Sequence, residues 1–287
     1  MMRIIPVSII CVLLICAGVL PAAENPPDGP DGLKPPESEP FTLRSEDGTE
    51  IACELFRNGS DSIVVVCPGF YNSKDNRWMR KTGEMLIPRY DVLMFDFRGH
   101  GKSGGKYAWS SKEYMDVDAV LDFAASKGYK HTGIIGFSLG AASAVNAASG
   151  RTDIDSMILI SCPSNFNAID FRFWEPGMFS DLWDNIESGW QGKGARSGNF
   201  FLAKMRPIDS IQKIRDTPIL FIHGDRDWVV KDRHSKKLFA ASAASLKRLE
   251  IVKGGLHAER MIQSDPDSIE RLILAWFMDT LEDGGRE

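Results

Sequence analysis

Six stretches of the chain are apolar without alternation: Ser62–Gly69, Tyr90–Gly99, Thr132–Ser138, Ser156–Cys162, Thr217–Gly224 and Lys247–Gly255. Runs apolar on both faces suit strands that are covered by helices on both sides. Ahead of them, "FTLRSEDG" and "TEIACELFRN" alternate apolar and polar positions and meet at Asp47-Gly48. That pattern predicts an antiparallel hairpin. Between the runs, apolar residues recur at three- and four-residue spacing over Arg77–Pro88, Ser111–Lys127, Leu139–Ala148, Lys231–Ala244 and Asp267–Leu281, which predicts five helices. Alternating strand and helix gives a doubly wound, mostly parallel sheet of eight strands with helices on both faces. Functional sites in such sheets gather at the carboxyl ends of the strands.

Three segments fall outside this rhythm. Residues 1–23 carry a short basic start, an apolar run from Ile4 to Leu20 and a small-residue exit, Pro21-Ala22-Ala23. This is the grammar of a secretory signal peptide or, at this length, of an N-terminal membrane anchor. Residues 24–40 are rich in proline, glycine and acid and are expected to form a linker, so that the folded domain occupies 41–287. Residues 163–215 contain no convincing strand but many aromatics. An insertion there would lie over the carboxyl edge as a cap. Its rings either line an apolar pocket, with Trp174 and Trp183 as candidates, or pack the insertion onto the sheet.

Composition narrows the functional classes. With 43% hydrophobic residues and a net charge of −5, the chain can bury a large core and lacks the basic surface that nucleic acid requires. Beyond the leader there are three cysteines, Cys53, Cys67 and Cys162. An odd number rules out a complete disulfide framework, and buried strand thiols are expected. The histidines are dispersed and form no H-E-x-x-H pair, so no metal is implied. "GFSLGAAS" lacks the G-x-G-x-x-G spacing of a dinucleotide site, and no cofactor is expected.

The candidate chemistry lies in Gly136-Phe137-Ser138-Leu139-Gly140, where an apolar run turns into a run of small residues. A serine framed by glycines at a strand-to-helix turn is held on strained backbone with its hydroxyl at the top of the sheet. Such a hydroxyl needs a base, and the base an orienting acid. His257 follows the last strand in a glycine-marked loop. His100 and His223 also lie near that edge, whereas His131 begins a strand and His234 falls in a helical pattern. Only His257 follows in the order Ser, Asp, His. Asp225 and Asp227 compete for the acid. Asp227, nearer the loop apex, is preferred, because Asp225 suits a turn-former that bonds its own backbone. The amides of Phe70 and Leu139 are the candidates for an oxyanion hole.

Together, "GFSLG", "DFRGHGKSGG", "PILFIHGDRDWVV" and "GGLHAE" resemble the α/β-hydrolase family, and in particular its small esterase, lysophospholipase-like and S33-peptidase-like members, over Phe41 to Leu281. The resemblance carries the nucleophile onto Ser138, the acid onto Asp227 and the base onto His257. It implies that the sheet begins with the hairpin, that the third and fifth strands are central neighbours, and that Cys67 and Cys162 lie on opposite sides of the nucleophile strand. One departure is Cys67-Pro68-Gly69-Phe70, where many members have His-Gly before the oxyanion residue. The donor is a main-chain amide, so the change leaves it available. The expected activity is serine hydrolysis of a small-molecule acyl ester by a secreted or membrane-tethered enzyme. A thioesterase, an aminopeptidase or a non-catalytic binding domain of the same fold are the alternatives.

Overall fold

The computed structural model describes residues 37–169 and 193–282. The leader, most of the linker, and Trp174 and Trp183 of the insertion therefore lie outside the described residues. The hairpin is β1 (Ser38–Arg44) and β2 (Glu50–Phe56), closed by a turn in which Gly48 takes φ 81°. Then follow β3 (Ser62–Cys67), α1 (Arg77–Leu86), β4 (Asp91–Phe95), α2 (Glu113–Ser126), β5 (His131–Phe137), α3 (Leu139–Ala148) and β6 (Ser156–Ile160). After the insertion come α4 (Pro207–Ser210), β7 (Ile219–Gly224), α5 (Arg233–Ala241), β8 (Lys247–Val252), α6 (Arg260–Ser264) and α7 (Pro266–Phe277).

The eight strands form one sheet in the order β1-β2-β4-β3-β5-β6-β7-β8. β1, β2 and β4 pair antiparallel, and every pair from β4 through β3 to β8 is parallel. β3 and β5 are neighbours at the centre, so Cys67 and Cys162 fall on either side of β5. Both are buried free thiols, as is Cys53. The chain reverses its direction of winding at β3, the switch point at which a crevice opens in such sheets.

Four of the apolar runs are buried at every strand residue, in β3, β4, β6 and β7, and β5 at all but His131. The run in β8 is not, its residues being half-buried or exposed because β8 is the edge strand of the sheet. Side chains of α2, α3 and α5 cover one face of the sheet and those of α1, α6 and α7 the other. Helix starts follow their chemistry. The side chain of Asn76 accepts from Trp78 N at the start of α1, and Asp265 caps α7 just ahead of Pro266. Helix and strand ends shift by a few residues from the sequence reading, and one boundary moves into another segment. β1 begins at Ser38, inside the segment assigned to the linker, and Pro40 pairs opposite Glu54. β1 is an edge strand, where a missing N–H costs no ladder bond if it faces outward.

β5 is held tightly from below. A methyl group on Gly133 would lie 2.9 Å from Leu281 Cδ1 and 3.0 Å from Phe277 Cε1. Gly133→Ala is expected to lower stability by about 1–3 kcal/mol through overpacking, read as a lower urea midpoint at unchanged slope. Gly133→Ala combined with Phe277→Leu should cost less than the sum of the two changes. Full additivity would show that the ring does not set the constraint.

Candidate active site

The elbow between β5 and α3 places Ser138 at φ 50°, ψ −118°, a left-handed conformation that a side chain tolerates only when its surroundings impose it. A methyl group on Gly136 would lie 2.6 Å from Ala141 Cα, and one on Gly140 would collide with the carbonyl oxygens of Cys67 and Pro68. The two glycines thus let α3 start hard against both its own strand and the loop after β3. Ser138 N–H donates to Ile160 O at 2.8 Å, fixing the turn to β6.

Three side chains predicted from the sequence meet here. His257 Nε2 lies 2.9 Å from Ser138 Oγ, and His257 Nδ1 lies 2.7 Å from Asp227 Oδ2. The carboxylate can only accept, so Nδ1 carries the proton and Nε2 accepts from the serine hydroxyl. Ser138 is 7% exposed, Asp227 0% and the His257 side chain 14%. Asp227 Oδ1 accepts from Val229 N at 2.9 Å and Val230 N at 2.8 Å. Burial alone would raise the Asp227 pKa, but the charge of His257 and the hydrogen bonds from His223 and His257 outweigh it and hold the carboxyl well below the usual carboxylate range. Asp225 is exposed, and its Oδ1 accepts from Gly254 N at 2.7 Å. It pins the following loop rather than its own turn, and it does not meet the histidine.

The candidate oxyanion residues also lie together. Gly69 approaches the elbow so closely that a methyl group there would sit 3.5 Å from Ser138 Cβ, which brings Phe70 beside Leu139, the first residue of α3. Phe70 and Leu139 belong to one aromatic cluster with Tyr107, Trp109, Phe166 and Phe200. Trp109 meets Phe70 in a tilted contact at 5.4 Å and Phe200 edge-to-face at 5.3 Å. Of the insertion's described aromatics, then, Phe166 and Phe200 pack into the cluster around Phe70 and Leu139.

Two supports have no counterpart in the sequence analysis. His223, fully buried, lies with Nε2 2.7 Å from Val230 O and 3.3 Å from Asp227 Oδ2, while Nδ1 meets Ser235 Oγ at 2.7 Å. It braces the acid loop against α5. His100 Nε2 accepts from Tyr71 N at 3.1 Å, and its Nδ1 donates to Arg98 O at 3.1 Å. It therefore anchors the loop that carries Phe70. Their signal was position: each histidine ends or follows a strand at the edge where the site forms. His131 begins β5 at the opposite edge, and His234 lies in α5. Among the described residues, no group of histidine, cysteine and acid could hold a metal ion, and no helix is long and apolar enough to cross a membrane.

Fold and site together define a doubly wound α/β protein with a Ser–His–Asp hydrogen-bond chain at the carboxyl edge of its sheet. A family model described as alpha/beta hydrolase fold matches residues 62–203, and one described as serine aminopeptidase, S33, matches residues 190–261. The chain is 24% identical to the uncharacterized protein YfhR of Escherichia coli O157:H7 over 280 residues, covering 94% of this chain and 91% of YfhR. It is also 24% identical to the uncharacterized protein YqkD of Bacillus subtilis over 267 residues, covering 86% of this chain and 81% of YqkD. Among solved structures, the Pyrococcus furiosus esterase Pf2001 superposes with a TM-score of 0.69 at 25% identity, covering 90% of this chain and 98% of the esterase. The chain belongs to the α/β-hydrolase family.

His100 makes the loop that carries Phe70 acid-sensitive. Burial pushes its pKa down to about 4 against the pull of the Arg98 carbonyl, from an ordinary value of about 6.5. Below about pH 6.5 the unfolded chain takes up a proton that the folded chain refuses, so this stabilisation is complete above that pH and is lost progressively toward pH 4. Buried His234 acts with the same sign. The unfolding free energy of His100→Gln, measured by urea titration, should therefore depend less steeply on pH between 4 and 6.5 than that of the wild type. An unchanged slope would overturn the assignment.

Proposed function

We propose that the chain is a serine hydrolase that cleaves carboxylic esters of small or medium acyl groups through an acyl-enzyme on Ser138. The observation that carries this reading is the continuous chain from Ser138 Oγ to His257 at 2.9 Å and on to Asp227 at 2.7 Å. His257 Nε2 takes the hydroxyl proton as Oγ attacks the ester carbonyl carbon. The oxygen that becomes negative receives the N–H groups of Phe70 and Leu139, and each such donor contributes roughly 3 kcal/mol in the transition state. The imidazolium returns the proton to the departing alkoxide. Water, deprotonated by the same nitrogen, then attacks the acyl-enzyme and releases the acid. Asp227 stays ionised throughout, holding the tautomer and stabilising the imidazolium.

The ester preference draws on the likeness to the P. furiosus esterase and on the aromatic cluster around Phe70 and Leu139, whose apolar rings suit an acyl chain. Trp174 and Trp183 extend that reading as further pocket residues. The S33 match over the acid and histidine loops supports a second reading, an aminopeptidase with the same triad. Aryl esters of graded acyl length, tested beside aminoacyl anilides and acyl thioesters, separate the two by their specificity constants.

Ser138→Ala should abolish fluorophosphonate labelling and ester turnover at an unchanged melting temperature, and persisting turnover would refute the mechanism. Asp227→Asn should lower kcat by on the order of 10⁴, as in the worked protease case. Asp225→Asn should cost little, and the reverse ranking would move the acid to Asp225.

A further inference from the structure

The two loops that flank Ser138 come from strands far apart in the sheet. Phe70 follows β3, and His257 follows β8, with β5, β6 and β7 between them. No sheet hydrogen bond links these loops. A buried side-chain contact does: Asn72 Nδ2 donates to Glu259 Oε1 at 2.7 Å. Asn72 stands two residues after Phe70 and Glu259 two residues after His257. They are 5% and 7% exposed.

Each partner is rigidly joined to the group it would position. Asn72 N donates to Gly69 O at 3.2 Å, closing a turn around Phe70 and Tyr71, with Tyr71 at φ 73°. On the other side, Ala258, between His257 and Glu259, takes φ 49° and donates its N–H to Ser161 Oγ at 2.9 Å. A methyl group on Gly69 would lie 3.5 Å from Ser138 Cβ and 3.8 Å from Asn72 Nδ2, so the amide reaches the glycine that abuts the elbow. The bond is costly as packing: Asn72 Oδ1 is buried with no hydrogen-bond partner among the described residues. A half-satisfied buried amide and a buried carboxyl are less stabilising than apolar side chains of similar size.

We infer that Asn72 and Glu259 are a positioning pair that fixes the oxyanion amide of Phe70 relative to the imidazole of His257 across Ser138. The inference rests on the proposed serine mechanism. Oxyanion donors act only within about 2.7–3.1 Å of the oxygen as it becomes negative, and a displacement of about 1 Å can cost on the order of 10² in rate. A freed loop would therefore slow the chemical step while leaving ground-state binding nearly intact, because the amide bonds the transition state more strongly than the substrate.

The test uses Asn72→Asp, Glu259→Gln and the double variant. Asn72→Asp opposes two carboxylates. Glu259→Gln keeps an acceptor for Asn72. The double variant remakes the bond with its direction reversed. On an aryl ester, Asn72→Asp should lower kcat 10- to 100-fold with KM changed less than threefold. Glu259→Gln should stay within threefold of the wild type, and the double variant should recover to within about fivefold. Hydrogen exchange of peptides covering 68–74 and 253–260 should rise together in Asn72→Asp and return to wild-type protection in the double variant. A wild-type kcat in Asn72→Asp overturns the pairing. So does a double variant that stays slow or does not fold, whether or not Asn72→Asp folds. The exchange readout needs no substrate: coupled exchange in a protein that neither turns over esters nor labels at Ser138 retains the pair and rejects the serine mechanism.

Discussion

Ser138 holds a backbone conformation, φ 50° with ψ −118°, that costs an ordinary residue on the order of 1–3 kcal/mol, and the molecule is arranged to keep it there. The strand before it is buried along almost its whole length, and every residue of α3 after it is buried. The small residues of α3 are the means. Ala141, Ala142 and Ala144 let the helix lie against the sheet core, and Gly140 lets its first turn touch the backbone at Cys67 and Pro68. Larger side chains would push α3 away, relax the elbow and separate Ser138 from the loop that carries Phe70. The apolar strands thus act on the site indirectly, by leaving the elbow no room to unwind.

Polar groups around the elbow follow a second rule: apart from the Asn72–Glu259 pair, most of them accept from the backbone of a loop. His100 accepts the Tyr71 amide, Ser161 accepts the Ala258 amide, Asp227 accepts those of Val229 and Val230, and Asp225 accepts that of Gly254. Loops cannot satisfy their own amides as strands do, so buried loops need such acceptors. At this edge the acceptors are themselves buried or pinned. The loops are therefore as fixed as the sheet, and the Ser–His–Asp chain can hold its distances without a bound substrate.

This division explains what could be read from the sequence. β3, β4, β6 and β7 were legible because burial on both faces writes an unbroken apolar run. Ser138 was legible because the elbow needs glycines at fixed offsets, and His257 and Asp227 because each follows a strand that ends at the same edge. The start of β1 was not: Pro40 and its acidic neighbours read as linker, and only the pairing with β2 makes them an edge strand. His100, His223 and the Asn72–Glu259 contact were hidden for a different reason. His100 and Asn72 meet partners in loops that the fold brings near, 29 and 187 positions away, and no local periodicity records such a meeting. His223 meets Asp227, Val230 and Ser235 close in sequence, through a loop whose path the residue pattern does not give. Trp109, which joins Phe70 to Phe200, gave no signal either, since a single ring in a loop reads like any exposed aromatic.

The insertion carries the argument one step further. Of its described residues, 163–169 and 193–215, the segment 193–198 runs as a strap beside the loop that carries Phe70. Gly194 N donates to Tyr71 O, Arg196 N to Gly99 O and Gly198 N to Tyr107 O, while Tyr107 N donates to Arg196 O. The Arg196 guanidinium adds bonds to the carbonyls of Gly101 and Ser103. Nearly all of this is main-chain recognition, which almost any sequence could supply, so residue pattern alone could not reveal it. Two glycines mark where it is demanding: Gly194 sits at φ 137°, and a methyl group on Gly198 would press within 2.8 Å of Tyr107 O. Tyr71 is therefore held twice, its N–H by His100 and its carbonyl by the strap. Phe70, between Gly69 at the elbow and Tyr71 on the strap, has its amide direction set from both sides. In this geometry the insertion helps to hold the Phe70 amide, the proposed oxyanion donor, and a change in the insertion would reach that amide through Tyr71.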